Sequence, residues 1–308
     1  MNRRQGFLLS LAAYLLSLLI AALWANAAEA PQDEMQERIL IGPDSAKRWA
    51  PAESTIETSN TRSRGKQPAL HWHITVDHFA GEPNYPIVWP RIGYMFREAS
   101  ERDWTDWDYL QMWVYTETNR SALPREPAGL SIQSPDKEGA YNRALTELKK
   151  GQWMQIRIPL KLLGRRQDVR LIQLHISESN YRHQDQLDFY LDEIALLRYA
   201  RPTLIDFAAE TAVMFADARQ IPVRFELAGV KTGDSAEVTC ELREGRRVMA
   251  TTAVKAMRGP QRLALDLTKA KLRAGDYEVV GRVAGGSATG SVRVRVVESP
   301  WQTAEARP

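Results

Sequence analysis

Two histidines one residue apart, His71 and His73, are the first side chains whose type and spacing suggest chemistry. On an extended strand residues i and i+2 share a face, so the two imidazoles are half of a transition-metal set. Spacing alone brings no third ligand into view, and two surface histidines are the plainer reading. Four acids, Asp77, Asp108, Glu117 and Glu178, are of the type a glycosidase or lyase needs as a pair about 5–10 Å apart. No local signature links any two of them. The chain has no G-x-S-x-G, H-E-x-x-H, phosphate-loop or dinucleotide fingerprint. Asn119-Arg120-Ser121 is a glycosylation sequon in form only. The single cysteine, Cys240, excludes an intramolecular disulfide, and its alternation with Val238 and Leu242 places it in a core rather than in a reactive site.

A different pattern carries more chemistry. Gln111, Trp113 and Tyr115 alternate with Leu110, Met112 and Val114; Gln155 and Arg157 alternate with Ile156 and Ile158; Gln173 and His175 alternate with Leu174 and Ile176. If the apolar set points inward, the outward set mixes flat aromatic rings with amides, a guanidinium and an imidazole. Pyranose rings present an apolar C–H face rimmed by hydroxyls, and this mixture suits them. His73 extends the face, and His71 and Tyr94 are further candidates, subject to a strand register in which a one-residue slip reverses the face. The bland reading is an ordinary solvated sandwich surface. Trp104 and Trp107, three apart before that strand, are either rim platforms or, as the better fit, plugs at a sandwich end.

The elements that position these groups are strands. Runs with period two cover residues 70–76, 92–96, 110–115, 130–133, 153–158, 171–177 and 187–197, separated by Pro, Gly, Asn and Asp, which predicts about eight strands in an antiparallel sandwich. Trp49, Trp72, Trp89, Trp104, Trp107, Trp113 and Trp153 all lie before Tyr199, and none of the nine tryptophans lies between 200 and 300. That shift divides the chain. A second set of short strands, at 222–227, 236–243, 247–253, 262–267, 276–284 and 291–297, has the size of an immunoglobulin-like sandwich. The expected organisation is a signal segment at 1–27, a flexible lead-in at 28–48, an aromatic-rich sandwich at 49–200, a second sandwich at 203–298 and a tail at 299–308.

The signal segment follows from Arg3 and Arg4, the apolar run from Phe7 to Leu23 and the triplet Ala25-Asn26-Ala27. An uncleaved anchor is the alternative, since about 17 apolar residues sit at the lower limit for spanning a bilayer. The expected location is therefore the periplasm, the cell envelope or the exterior. Across the chain 41 basic side chains face 38 acidic ones, without a long run of either sign, which argues against a nucleic-acid partner. With 44% hydrophobic residues the chain has the composition of packed domains.

The first sandwich resembles a known group. Trp107-Asp108-Tyr109-Leu110-Gln111-Met112-Trp113-Val114-Tyr115, then Gly151-Gln152-Trp153-Met154-Gln155-Ile156-Arg157-Ile158-Pro159-Leu160, then Leu187-Asp188-Phe189-Tyr190-Leu191-Asp192-Glu193-Ile194 are similar to motifs of galactose-binding-like jelly-roll carbohydrate-binding modules. The resemblance covers about 50–199 and implies a jelly roll there; with the second set of strands, the expected fold class is all-β, a jelly roll followed by an immunoglobulin-like sandwich. It also implies a structural calcium held by a final-strand aspartate and an acid near the start of the domain. Asp192 matches the first, and Glu53 or Glu57 the second; hard oxygen ligands suit that ion. The expected function is non-catalytic glycan binding on the concave face, through Trp113, Tyr115, Gln111, Gln155, Arg157, Gln173, His175 and His73. A structural or protein-interaction module of the cell envelope is the alternative, and a polysaccharide-active enzyme the third reading.

Overall fold

The computed structural model describes residues 34–81, 88–135, 140–286 and 289–300. The expected signal segment at 1–27 and the expected tail beyond Pro300 lie outside the described residues, and among those described no helix is long and apolar enough to cross a membrane. The protein is all-β. Its strands are β1 (Met35–Ile41), β2 (Trp49–Ala52), β3 (Thr55–Ser59), β4 (Ala69–Thr75), β5 (Arg91–Met95), β6 (Tyr109–Thr118), β7 (Gly129–Gln133), β8 (Tyr141–Ala144), β9 (Trp153–Pro159), β10 (Leu171–His175) and β11 (Gln186–Tyr199), then β12 (Thr203–Ala209), β13 (Val213–Phe215), β14 (Gln220–Ala228), β15 (Ser235–Glu244), β16 (Arg247–Met257), β17 (Gly259–Asp266), β18 (Gly275–Val283) and β19 (Thr289–Val297).

The first eleven strands make two sheets. One runs β3-β4-β11-β6-β9, with β1 also pairing β11, and the other runs β2-β5-β10-β7-β8. Alternation decides what lies between them. Leu110, Met112 and Val114 of β6, Ile156 and Ile158 of β9, and Ile172 and Leu174 of β10 are buried in one core with Trp72 and Phe189, whose rings stack at 4.9 Å. Each such side chain contributes on the order of 1.5–3 kcal/mol by leaving water. Trp104 is fully buried and donates its indole N–H to the carbonyl of Glu101, so it plugs an end of the sandwich. Tyr94 is also core, packed edge-on against Trp49, and does not belong to an outer face.

Where the sequence suggested a flexible lead-in, Met35–Ile41 is a strand antiparallel to the C-terminal half of β11. Its burial is mixed, and the polar run Gln36-Glu37-Arg38 gave no apolar period to detect. β11 serves two partners along one edge because a bulge at Asp192–Ala195, with Glu193 at φ 48, ends its pairing with β4 and lets β1 take over.

A second core, with Ile221, Phe225, Cys240, Leu265 and Val294 among its members, lies between sheets β12-β14-β17 and β13-β19-β18-β15-β16. Burial pushes the Cys240 thiol up to about 11, as expected of a packing residue. Both cores belong to one compact unit. Arg258 of the loop before β17 joins them: its guanidinium donates to the carbonyls of Trp107 (2.8 Å) and Val230 (2.7 Å) and pairs with Asp108, both charged side chains being nearly enclosed. Asp108 in turn accepts from the Tyr199 amide at 3.0 Å. Lys161 makes a second link, to Glu226 at 2.9 Å and to Asp206.

Candidate functional site

The sandwich divides the expected sugar face in two. Gln111, Trp113 and Tyr115 on β6, Gln155 and Arg157 on β9, and His73 on β4 project from the outer side of the β3-β4-β11-β6-β9 sheet, whereas Gln173 and His175 on β10 belong to the other sheet. The two groups therefore face away from each other. Alternation marks which residues point outward, and it carries no information about which sheet a strand joins.

On the first of these faces the outward groups are already engaged. Gln111 is buried, and its Oε1 accepts from Gln155 Nε2 at 2.6 Å and Arg157 Nη2 at 2.9 Å. Residues 60–68, which join β3 to β4, lie over the rings. The Arg64 guanidinium sits 3.6 Å from the centroid of Trp113, and Arg62 sits 5.2 Å from that of Tyr115. The Arg64 amide is held by Asp192 Oδ2 at 3.2 Å. Tyr115 is buried with Tyr190 and Ala69 against Trp153, and its hydroxyl donates to Glu117 at 2.6 Å, which raises its pKa. Both expected platforms are thus covered.

The acids expected to hold calcium are not brought together. Glu53 lies in the β2–β3 turn at φ 54 and accepts from the Trp89 amide; Asp192 lies beyond the Leu191–Leu70 pair, near the opposite end of β3. At about 3.3 Å per residue, the length of β3 separates them by more than 13 Å. Asp192 instead caps the Arg64 and Glu193 amides. Glu57 is paired in register with His71 and lies 3.4 Å from its ring nitrogen.

The outer side of the β2-β5-β10-β7-β8 sheet is open. A cavity of about 470 Å³ is lined by Trp89, Glu126, Ala128, Gly129, Ser131, Gln133, Asn142, Arg143, Ala144, His175, Ser177 and Asn180. Its floor is low because β7 carries small residues outward: Gly129 and Ser131 alternate with core Leu130 and Ile132. Gly129 pairs with His175, and a Cβ placed there would lie 2.3 Å from His175 Nε2, so only glycine lets the imidazole lie across the neighbouring strand. Trp89, 40% exposed, stands edge-on to that imidazole at 5.3 Å. Ser131 Oγ donates to Asn142 Oδ1 at 2.5 Å, and Asn180 Nδ2 donates to the Glu126 carbonyl at 3.1 Å. Tyr181 fastens the loop before β7 through its hydroxyl, which donates to Pro127 O at 2.6 Å.

Two polar atoms of β10 are left without partners: Gln173 Nε2 and His175 Nδ1 are both buried and unbonded. Each such group costs about 1–3 kcal/mol until a hydroxyl or water meets it. Burial also lowers the His175 pKa, which keeps the imidazole neutral, with one nitrogen to donate and one to accept. On the opposite sheet the hydrogen bond with Asp188 raises the pKa of His71 and lowers that of Asp188.

The four acids considered for catalysis do not converge in this cavity. Glu117 is on the covered face, Asp108 is paired with Arg258, and Glu178 is buried beside Asp77, whose amide donates to it at 3.4 Å. Burial raises the Glu178 carboxyl. Sequence reasoning missed Trp89, Gly129, Ser131 and Asn142. The alternation of Leu130 and Ile132 with Gly129 and Ser131 was the available signal for two of these, while Trp89 sits outside any periodic run.

No family model matches the chain, and no curated protein matches it. Among solved structures the chain is similar to a beta-1,2-glucanase from Parabacteroides distasonis at 14% identity, over 87% of this chain and 37% of that one, with a TM-score of 0.35. It is also similar to a family 11 carbohydrate-binding module from Clostridium thermocellum in complex with a beta-1,3-1,4-mixed-linked tetrasaccharide, at 14% identity, covering 56% of this chain and 92% of that one, with a TM-score of 0.28. A tandem of family 22 carbohydrate-binding modules from Paenibacillus barcinonensis matches at 7% identity, over 78% and 87% of the two chains, with a TM-score of 0.31. The chain spans little more than a third of the glucanase and of an Endo-D glycoside hydrolase domain from Streptococcus pneumoniae, 37% and 36%.

Proposed function

We propose that the first sandwich is a non-catalytic glycan-binding module of an exported protein and that the glycan lies in the cavity on the β2-β5-β10-β7-β8 sheet. The observation that carries this is the composition of the wall: one exposed indole beside a neutral imidazole, with amides and hydroxyls from two strands and the loops around them, over a floor kept low by glycine. A pyranose uses such a wall through its C–H face and its hydroxyls together. The volume falls within the range of about 300–1,000 Å³ for small-ligand sites. A single site of this kind gives dissociation constants from about micromolar to millimolar. Glycan-array screening followed by calorimetric titration tests it. Trp89→Ala with His175→Ala is expected to remove binding, and Trp113→Ala is expected to leave it unchanged. Absence of any glycan ligand, or retained affinity in the double variant, would overturn the proposal.

A further inference from the structure

The third ligand that spacing could not supply to His71 and His73 comes from another strand. Asp188 of β11 pairs in register with His73 of β4, and its Oδ1 accepts from His71 Nε2 and His73 Nδ1, each at 2.8 Å. The three candidate donor atoms lie within 4.8 Å of one another. We propose that His71, His73 and Asp188 form a binding site for a divalent transition-metal ion, zinc foremost, on the face of the sandwich opposite the glycan cavity.

Three observations beyond proximity support a built site. Each imidazole turns one nitrogen to the shared centre and the other to an outer partner: His71 Nδ1 is 3.4 Å from Glu57 Oε1, and His73 Nε2 is 3.3 Å from Thr75 Oγ1. Metal-bound histidines use their second nitrogen in this way, as a donor that fixes tautomer and orientation. Next, the ring plane of His71 is fixed by Tyr190, stacked on it at 4.5 Å and 6°. Finally, all three ligands are half-buried, so one side of the centre is shielded by the sheet and the other is open to water. Two imidazoles and a carboxylate match borderline ions such as Zn²⁺, Co²⁺ or Ni²⁺ and not Ca²⁺ or Mg²⁺, which take oxygen. Three protein ligands leave a fourth, tetrahedral position for water.

The competing account is that protons alone hold the triad, with both imidazoles donating to Asp188. Titration of the full chain with Zn²⁺, and with Co²⁺ as an optical probe, separates the two. The expected result is saturable one-to-one binding with visible d–d bands of tetrahedral or five-coordinate Co²⁺. His73→Gln is expected to weaken binding at least about 100-fold and Glu57→Gln about 10-fold, the scale of outer-partner loss. His78→Ala with His183→Ala, a pair of rings 6.1 Å apart beyond the end of β4 and outside the triad, is expected to leave binding intact, and circular dichroism checks that each variant is folded. Lack of saturable binding of Zn²⁺ and Co²⁺ by the unaltered chain, or equal affinity in folded His73→Gln, overturns the proposal.

Discussion

On the β3-β4-β11-β6-β9 sheet the outward side chains of the first sandwich find each other, whereas on the β2-β5-β10-β7-β8 sheet they leave a cavity. Both faces come from the same alternation, and both carry aromatic, amide and imidazole groups. Side-chain size and cover make the difference. Long residues on β6 and β9 reach across to one another, and Arg62 and Arg64 cap Tyr115 and Trp113. Glycine and serine on β7 cannot reach, and the aromatic ring that remains open beside them, Trp89, enters from a loop. A polar, aromatic strand face thus becomes a closed surface or a site according to what its neighbours lack.

The largest effects are expected on the closed face. Tyr115→Ala removes a buried ring from the cluster with Tyr190 and Trp153, and is expected to cost about 3 kcal/mol in chemical denaturation while leaving glycan affinity unchanged. A drop in affinity as large as the drop in stability would mean that the closed face takes part in binding. Gly129→Ala should act the other way. Its methyl would meet the His175 ring, so a loss of about 1–3 kcal/mol in stability is expected together with at least a tenfold weaker glycan titration.

Smaller effects sharpen the contrast. Arg64→Ala uncovers Trp113 and removes one cation–π contact, worth about 0.5–1 kcal/mol. If cover is all that closes this face, glycan binding with a second stoichiometric site appears in the variant; if the mutual pairing of Gln111, Gln155 and Arg157 closes it as well, calorimetry continues to show one site, which is the expected outcome. The smallest effect is on pH. Burial holds the His175 pKa below its ordinary value of 6.5, so between that value and the folded one the unfolded chain binds the extra proton. Stability is then complete above about pH 6.5 and falls as the pH drops through this window. His175→Gln should flatten that part of the stability curve, read by denaturation at a series of pH values; an unchanged slope would show that the imidazole is not desolvated.

Much of this fold was legible because burial on one side of a strand writes itself as period two. Residues 92–96, 130–133 and 171–177 announce β5, β7 and β10 through Ile92, Leu130, Ile132, Ile172 and Leu174. β1, β2, β3 and β8 left no such trace, since they are short or edge strands with few inward apolar residues. Of the cavity wall, His175 was legible as an outward polar residue, and on the other face His71 and His73 were legible as a pair. Asp188, more than a hundred residues away, was not, because the register of β11 against β4 is a long-range property.

Local pattern was enough to set the all-β class, to concentrate the aromatic residues before Tyr199, and to turn Gln111, Trp113, Tyr115, Gln173 and His175 away from a core. These follow from local rules: alternation, composition and turn residues act over a few positions. Tertiary structure alone decided that β6 and β10 lie in different sheets, that arginines cover one face while glycines open the other, and that Asp188 meets two histidines. Those outcomes depend on which strands pair and in what register, and that choice is made by the packing of the whole core rather than by any one segment.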